Sequence, residues 1–260
     1  MTNLEDAPKK MDCPEVIGRL FYPRRVRPPD TAEAISRFVE VEKDISILCR
    51  FYPSGADGPN ILFFHGNGET APDYDYVAPF YRKRNINLFV ADYRGYGMSQ
   101  GSPSCSGLIS DAHPIFHSFA SLISDRRHTG GLYVMGRSLG SAPAIEVAYH
   151  YQKQLKGLIV ESGFASWRKQ IARLGVAHLF RNLEGPVGFC NDLKIREIGI
   201  PTLIIHGEAD EIIPFEEGKA LYDLSNAQDK VAFFVPSAGH NDLFEHALSE
   251  YMDTVVRFTQ

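Results

Sequence analysis

"VMGRSLGSAPA", residues 134–144, contains Gly136-Arg137-Ser138-Leu139-Gly140, a G-x-S-x-G pattern of the kind that presents a nucleophilic serine where a strand turns into a helix. A second match, Gly97-Met98-Ser99-Gln100-Gly101, lies in "DYRGYGMSQGSP". At ordinary glycine and serine frequencies a chain of 260 residues meets the pattern by chance roughly one time in ten, so the pattern alone assigns nothing. The flanks separate the two. "GLYVM" (131–135) runs straight into Gly136, and small residues Gly140, Ser141 and Ala142 precede the periodic run "AIEVAYHYQ". That is strand, tight turn, helix. The strand nearest Ser99, "INLFVADY", ends several residues before it, and "QGSPSCSG" after it reads as a loop, so Ser99 is expected in a glycine-rich turn.

Outward from Ser138, short continuous apolar runs recur: "ILFF" (61–64), "INLFVA" (86–91), "GLYVM", "GLIVE" (157–161), "TLIIH" (202–206) and "VAFFV" (231–235). Such runs suit strands buried on both faces. Helical stretches between them, near 72–84, 106–125, 141–153, 215–225 and 242–258, complete a βαβ pattern and predict a mostly parallel sheet with helices on both sides. Pro143 fits a first helical turn, and Pro114 is expected to delay or kink its helix. Upstream, "AISRFVEVE" and "ISILCRFY", joined by Lys43-Asp44, predict an antiparallel hairpin at one edge of the sheet. Residues 1–30, rich in proline and charge, are expected to be extended coil. About 40 residues, 162–200, separate "GLIVE" from "TLIIH", more than one crossover helix needs. They contain Trp167 and read either as a lid over the C-terminal edge of the sheet or as a pair of packing helices.

Composition narrows the function. With 44% hydrophobic and 23% charged residues the chain can bury a sizeable core, and one domain over 1–260 is expected. A net charge of −5 provides no overall basic field for nucleic acid, and "PRRVRPP" (23–29) is a short surface run whose second reading is an anionic-membrane contact. Cys13, Cys49, Cys105 and Cys190 are scattered and read as isolated thiols in a reducing compartment. The acidic start lacks signal-peptide character and no apolar run approaches 18 residues, so a cytoplasmic protein without stable membrane insertion is expected.

A serine hydroxyl needs a base, and the base needs a carboxylate. Asp210 in "GEADEIIP" and His240 in "PSAGHNDLF" each follow a strand, at the same sheet edge as Ser138 and in the order Ser, Asp, His. Glu161, at the end of "GLIVE", is the rival acid. "ILFFHGNGE" places a glycine-rich turn after a strand, so an oxyanion hole would combine the backbone amides of Leu139 and Asn67. His65 is expected to brace that turn and Arg137 to pair with a nearby acid. His240 and His246 are six apart, not the spacing of two ligands on one helical face, and neither metal nor cofactor is expected. His113, His117, His128, His150, His178 and His206 read as surface or packing residues.

The motifs "HGNG" (65–68), "DYRGYGMSQG" (92–101), "GRSLGSAPAI" (136–145), "HGEADEIIP" (206–214) and "GHNDLF" (239–244) together resemble the α/β-hydrolase superfamily, most closely its ABHD-type, small-lid serine hydrolases. The resemblance covers nearly everything after residue 35. It implies an eight-stranded sheet with an antiparallel second strand, a Ser138-Asp210-His240 triad, no cofactor, and a structural role for the "DYRGYG" turn. Some such relatives remove palmitate from proteins by means of an N-terminal cysteine cluster; only Cys13 lies in that region here, so that activity is not implied. The expected activity is hydrolysis of small-molecule carboxylic esters or thioesters through an acyl-enzyme. The alternatives are an amide or carbon–carbon hydrolase with the same triad, and a non-catalytic binding protein on this fold.

Overall fold

The computed structural model describes residues 4–29 and 33–260, and its strands are β1 (Ile35–Glu42), β2 (Ile45–Tyr52), β3 (Asn60–Phe64), β4 (Asn87–Ala91), β5 (Leu132–Arg137), β6 (Gly157–Glu161), β7 (Thr202–Gly207) and β8 (Lys230–Val235). They form one sheet in the order β1-β2-β4-β3-β5-β6-β7-β8, parallel from β4 to β8, with β2 antiparallel to both of its neighbours. The hairpin turns at Lys43-Asp44, where Asp44 takes φ 64°, a conformation its short polar side chain tolerates.

The helices are α1 (Pro14–Leu20), α2 (Ala78–Arg82), α3 (Cys105–Ser110), α4 (Ala112–Asp125), α5 (Ser141–Tyr151), α6 (Trp167–Arg173), α7 (Asn191–Lys194), α8 (Phe215–Leu224) and α9 (Leu243–Thr259). The continuous apolar runs are explained by burial on both faces. Leu62 and Phe64 of β3 join a cluster with Phe89 and Val134, while Ile61 and Phe63 point the other way, toward Tyr81 and Tyr251. Both edge strands, β1 and β8, are mostly exposed or half-buried, as solvated edges should be.

Proline accounts for the differences in helix boundaries. The run expected over 72–84 is a 3-10 turn at Ala71–Asp75 followed by α2, with Pro72 and Pro79 each at the start of its piece. The run over 106–125 divides at Asp111 into α3 and α4, and Pro114 stands in the first turn of α4, where its missing N–H costs no helical bond.

The N-terminal coil expectation is corrected for residues 4–20, whereas 21–29 have no regular secondary structure, as expected. Lys9–Met11 form a 3-10 turn and Pro14 opens α1, a proline acting as a helix starter rather than a breaker. Ala7, Met11, Val16 and Leu20 are buried, so the segment is part of the core. Asp12 accepts hydrogen bonds from the Cys105 and Ser106 amides at 2.7 and 3.2 Å, capping α3 from outside its own helix. Residues 1–3 and 30 of the expected coil lie outside the described residues.

The chain runs from β3 outward to β4, then returns to place β5 on the other side of β3. This reversal is where open α/β sheets form a crevice beyond the carboxyl ends of their strands. The "HGNG" turn leaves β3 there, and Ser138 leaves β5 beside it.

Candidate active site

Strand β5 ends extended at Arg137, and Ser138 reverses to φ 53° before the Ser138–Gly140 turn that leads into α5. A left-handed conformation costs a residue with a side chain about 1–3 kcal/mol and persists only where the surroundings enforce it. Here a Cβ on Gly140 would collide with the Phe64 carbonyl and one on Gly136 with the Gly140 carbonyl, so β3, β5 and α5 close tightly around the turn. The Ser141 hydroxyl donates to the Ser138 carbonyl at 2.7 Å and ties the turn to the first residue of the helix.

His240 Nε2 lies 2.9 Å from Ser138 Oγ, and His240 Nδ1 lies 2.7 Å from Asp210 Oδ2. The ionised carboxylate can only accept, so Nδ1 carries the proton and Nε2 is left to accept from the serine hydroxyl. Asp210 Oδ1 accepts from the Ile212 and Ile213 amides at 2.9 and 2.7 Å. Burial pushes the Asp210 carboxyl upward, but hydrogen bonds from His206, His240 and the Ile213 amide outweigh it and hold the group well below the usual carboxylate range. All three side chains are buried, at the ends of β5, β7 and β8.

His206 belongs to this cluster although its spacing gave no sign of it. Its Nε2 donates to the Ile213 carbonyl at 2.8 Å and stands 3.3 Å from Asp210 Oδ2, bracing the loop that carries the acid. Glu161 does not reach His240. It accepts from Arg137 Nε at 3.0 Å and from the Tyr251 hydroxyl at 2.6 Å. Arg137 pairs with Glu161 and Glu69 and donates through Nη2 to the His240 carbonyl and Asn241 Oδ1, both at 2.9 Å. It thus pairs with acids as expected, and also fastens the histidine loop to the residue before Ser138. Arg137, Glu69, Glu161 and His240 line a cavity of about 400 Å³.

Leu139 and Asn67 line a second cavity, of about 270 Å³, together with Ser138. As the second residue of a helical run, Leu139 has an N–H without an intrahelical acceptor. The Gly66 amide donates to Glu69 Oε2 at 2.8 Å. The Asn67 side chain is a structural clamp: Oδ1 accepts from the Tyr22 amide and the Tyr96 hydroxyl, while Nδ2 donates to the Leu20 carbonyl. His65 is buried, with Nε2 3.2 Å from Asp92 Oδ1 and Nδ1 2.8 Å from the Gly66 carbonyl, as a turn-bracing residue should be. Ser99 is buried, its Oγ accepting from the Leu48 amide at 2.9 Å.

Residues 162–200 form α6, 3-10 turns at Ala177–Phe180 and Ile195–Glu197, α7 and irregular connections. Helix α6 stops at Arg173 because Gly175 takes φ 72°. Glu217 of α8 accepts from the Ala165 and Ser166 amides at 3.1 and 2.8 Å, and Trp167 packs edge-on against Phe189 at 4.6 Å. Phe164, Trp167 and Leu174 of this segment form one wall of the Ser138 cavity, and Leu20 of α1 another.

A mostly parallel eight-stranded sheet with an antiparallel second strand, a strained serine after β5 and an Asp–His pair after β7 and β8 is the architecture of an α/β-hydrolase. The family described as serine aminopeptidase, S33, matches residues 58–187, and the chain belongs to that family of ABHD-type α/β-hydrolase enzymes. The uncharacterized protein YfhR of Salmonella typhi is 27% identical, covering 94% of this chain and 88% of that protein. Lysophosphatidylserine lipase ABHD12 of Danio rerio is 32% identical over 66% of this chain and 48% of its own length, so only about half of that protein is matched. Among solved structures, the Pyrococcus furiosus esterase Pf2001 superposes with a TM-score of 0.72 at 18% identity, covering 91% of this chain and 97% of that one, a likeness of fold. Among the described residues no helix is long and apolar enough to cross a membrane.

Proposed function

We propose that the chain is a serine esterase or thioesterase in which Ser138 is the nucleophile, His240 the general base and Asp210 the residue that orients it. The observation that carries this reading is the hydrogen-bond chain from Ser138 Oγ through His240 to Asp210 Oδ2. His240 Nε2 takes the hydroxyl proton as Ser138 Oγ attacks the acyl carbonyl, and the backbone amides of Leu139 and Asn67 receive the oxyanion. The intermediate collapses to an acyl-Ser138 while His240 returns the proton to the departing alkoxide or thiolate. Water, deprotonated by His240, then attacks the acyl carbon, and Ser138 leaves with the proton.

Residues 162–200 serve as the lid in this reading, and the chain acts as one domain on a small acyl substrate, without metal or cofactor in the reaction. The relatives and neighbours named for lipase and esterase activity favour ester bonds, whereas the family description favours an amide. Four free cysteines agree with a cytoplasmic setting. A fluorophosphonate probe tests the assignment: one adduct on the Ser138 peptide is expected in the wild type and in Ser99→Ala, and none in Ser138→Ala. Labelling retained by Ser138→Ala overturns it. Activated esters, acyl-CoA thioesters and aminoacyl anilides then rank the scissile bond.

A further inference from the structure

Where α4 packs against α5, outside the cavities that Ser138 and His240 line, the fold brings together histidines that lie far apart in sequence. His113 of α4 and His150 of α5 both direct Nε2 at Glu146 Oε1, at 3.3 and 3.0 Å, and the three ligand atoms lie within 4.8 Å of one another. A Zn²⁺ ion with bonds of about 2.0–2.1 Å in tetrahedral geometry holds its ligand atoms about 3.3 Å apart. The two histidine–carboxylate spacings are close to that value, and the two imidazole nitrogens lie within 4.8 Å of each other, a span that a small side-chain adjustment closes around one ion. The sequence contained half of the signal, because Glu146 and His150 are four apart and share a face of α5.

The surroundings suit a cation on this side. Tyr151 Oη lies 2.9 Å from His113 Nδ1, the outer-shell partner that fixes ring orientation and leaves Nε2 free to ligate. Lys194 of α7 pairs with the other carboxylate oxygen, Glu146 Oε2, and pins the group so that Oε1 is the oxygen presented to the histidines. Its positive charge weakens the binding of any dication but does not occupy the ligand side. The Glu146 side chain is 6% exposed, whereas His113 and His150 are 30% and 35% exposed, so an ion can enter from solvent and keep a water in the fourth position.

We propose that His113, Glu146 and His150 form a binding site for one Zn²⁺ ion that clamps α5, the helix leading away from Ser138, against α4. Two imidazoles and one carboxylate favour Zn²⁺ over Mg²⁺ or Ca²⁺, which take oxygen ligands. The site stands apart from the proposed hydrolase chemistry.

Equilibrium dialysis of the full chain against Zn²⁺, read by elemental analysis and paired with thermal melts, tests it. The wild type and a His178→Ala control are expected to bind one equivalent and to melt higher with Zn²⁺. His113→Ala and His150→Ala, both at half-exposed positions, should each bind at least ~10-fold more weakly and lose the stabilisation, since losing even an outer-shell partner costs about 10–100-fold in metal affinity. The proposal is overturned if the wild type binds no Zn²⁺, if the histidine variants bind as tightly as the wild type, or if Mg²⁺ competes equally.

Discussion

Replacing Arg137 with methionine keeps the unbranched stem of the side chain and removes the cation between Glu69 and Glu161. Burial works against the Arg137 charge, but the two carboxylates more than offset it and hold the guanidinium protonated. The Glu161 side chain is only 4% exposed, so without the arginine it is a buried charge with one neutral donor, the Tyr251 hydroxyl. Removing one partner of a buried ion pair costs about 3–5 kcal/mol. For a chain of this size that corresponds to a fall of about 10 °C in melting temperature, within the range a folded protein survives. The His240 loop loses two further bonds, to the His240 carbonyl and to Asn241. A 1 Å displacement of a general base costs about 100-fold in kcat/KM. Thermal melts and ester kinetics measure both effects. Adding Glu161→Gln should recover part of the melting temperature, because the stranded charge is gone, but not the turnover, because the histidine loop is still untethered. Arg137→Lys should recover stability more than turnover, since an ammonium cannot reproduce the planar fork. A wild-type melting temperature and kcat/KM in Arg137→Met would refute the reasoning, as would full recovery of turnover in the double variant.

Ser99→Ala strands the Leu48 amide and should destabilise by about 2 kcal/mol while leaving turnover per folded molecule unchanged; chemical denaturation with a parallel rate measurement checks both. Acid should unfold the chain partly through two carboxyls. Burial raises Asp210 and Glu146, but hydrogen bonds from His206 and His240 to the first, and from His113, His150 and Lys194 to the second, hold both below the usual range. A depressed folded pKa stabilises fully above the unfolded value of about 4 and less as pH falls through the folded one, because the unfolded chain then binds more protons. Asp210→Asn or Glu146→Gln should therefore flatten the acid limb of denaturation midpoint against pH, and an unchanged slope in both would count against these contacts.

What could be read without coordinates was what repeats locally. The runs around Ile61, Phe89, Val134, Ile159 and Ile204 are strands because each lies between two helical layers, and burial on both faces leaves a continuous apolar signature. Ser138 stood apart from Ser99 for a local reason too, a strand before it and small residues after it. Asp210 and His240 were legible as residues just past strand ends, and the structure brings His240 into hydrogen-bond reach of Ser138 and Asp210 into reach of His240. Arg137 was legible only as a residue that pairs with some acid, because its partners lie 68, 24 and 103 positions away and no window contains them. The N-terminal segment failed for a different reason. Pro14 and its charged neighbours have the composition of a coil, but one turn of Val16, Ile17 and Leu20 has an apolar surface to cover and so becomes a helix.

That segment also sets an order of events. Lys10 donates to the Pro186 carbonyl, the Gly188 amide to the Ala7 carbonyl and Arg19 to the Leu174 carbonyl, so α1 seats on groups up to 176 positions away. Residues 4–22 leave the ribosome long before their docking surface exists, and contacts of such separation close late. Until then Met11, Val16 and Leu20 stay in water, and the Ser138 cavity lacks the wall that Leu20 provides. The nascent chain can thus assemble its sheet well before it has a finished pocket, and a segment made before every strand of that sheet is among the last to find its place.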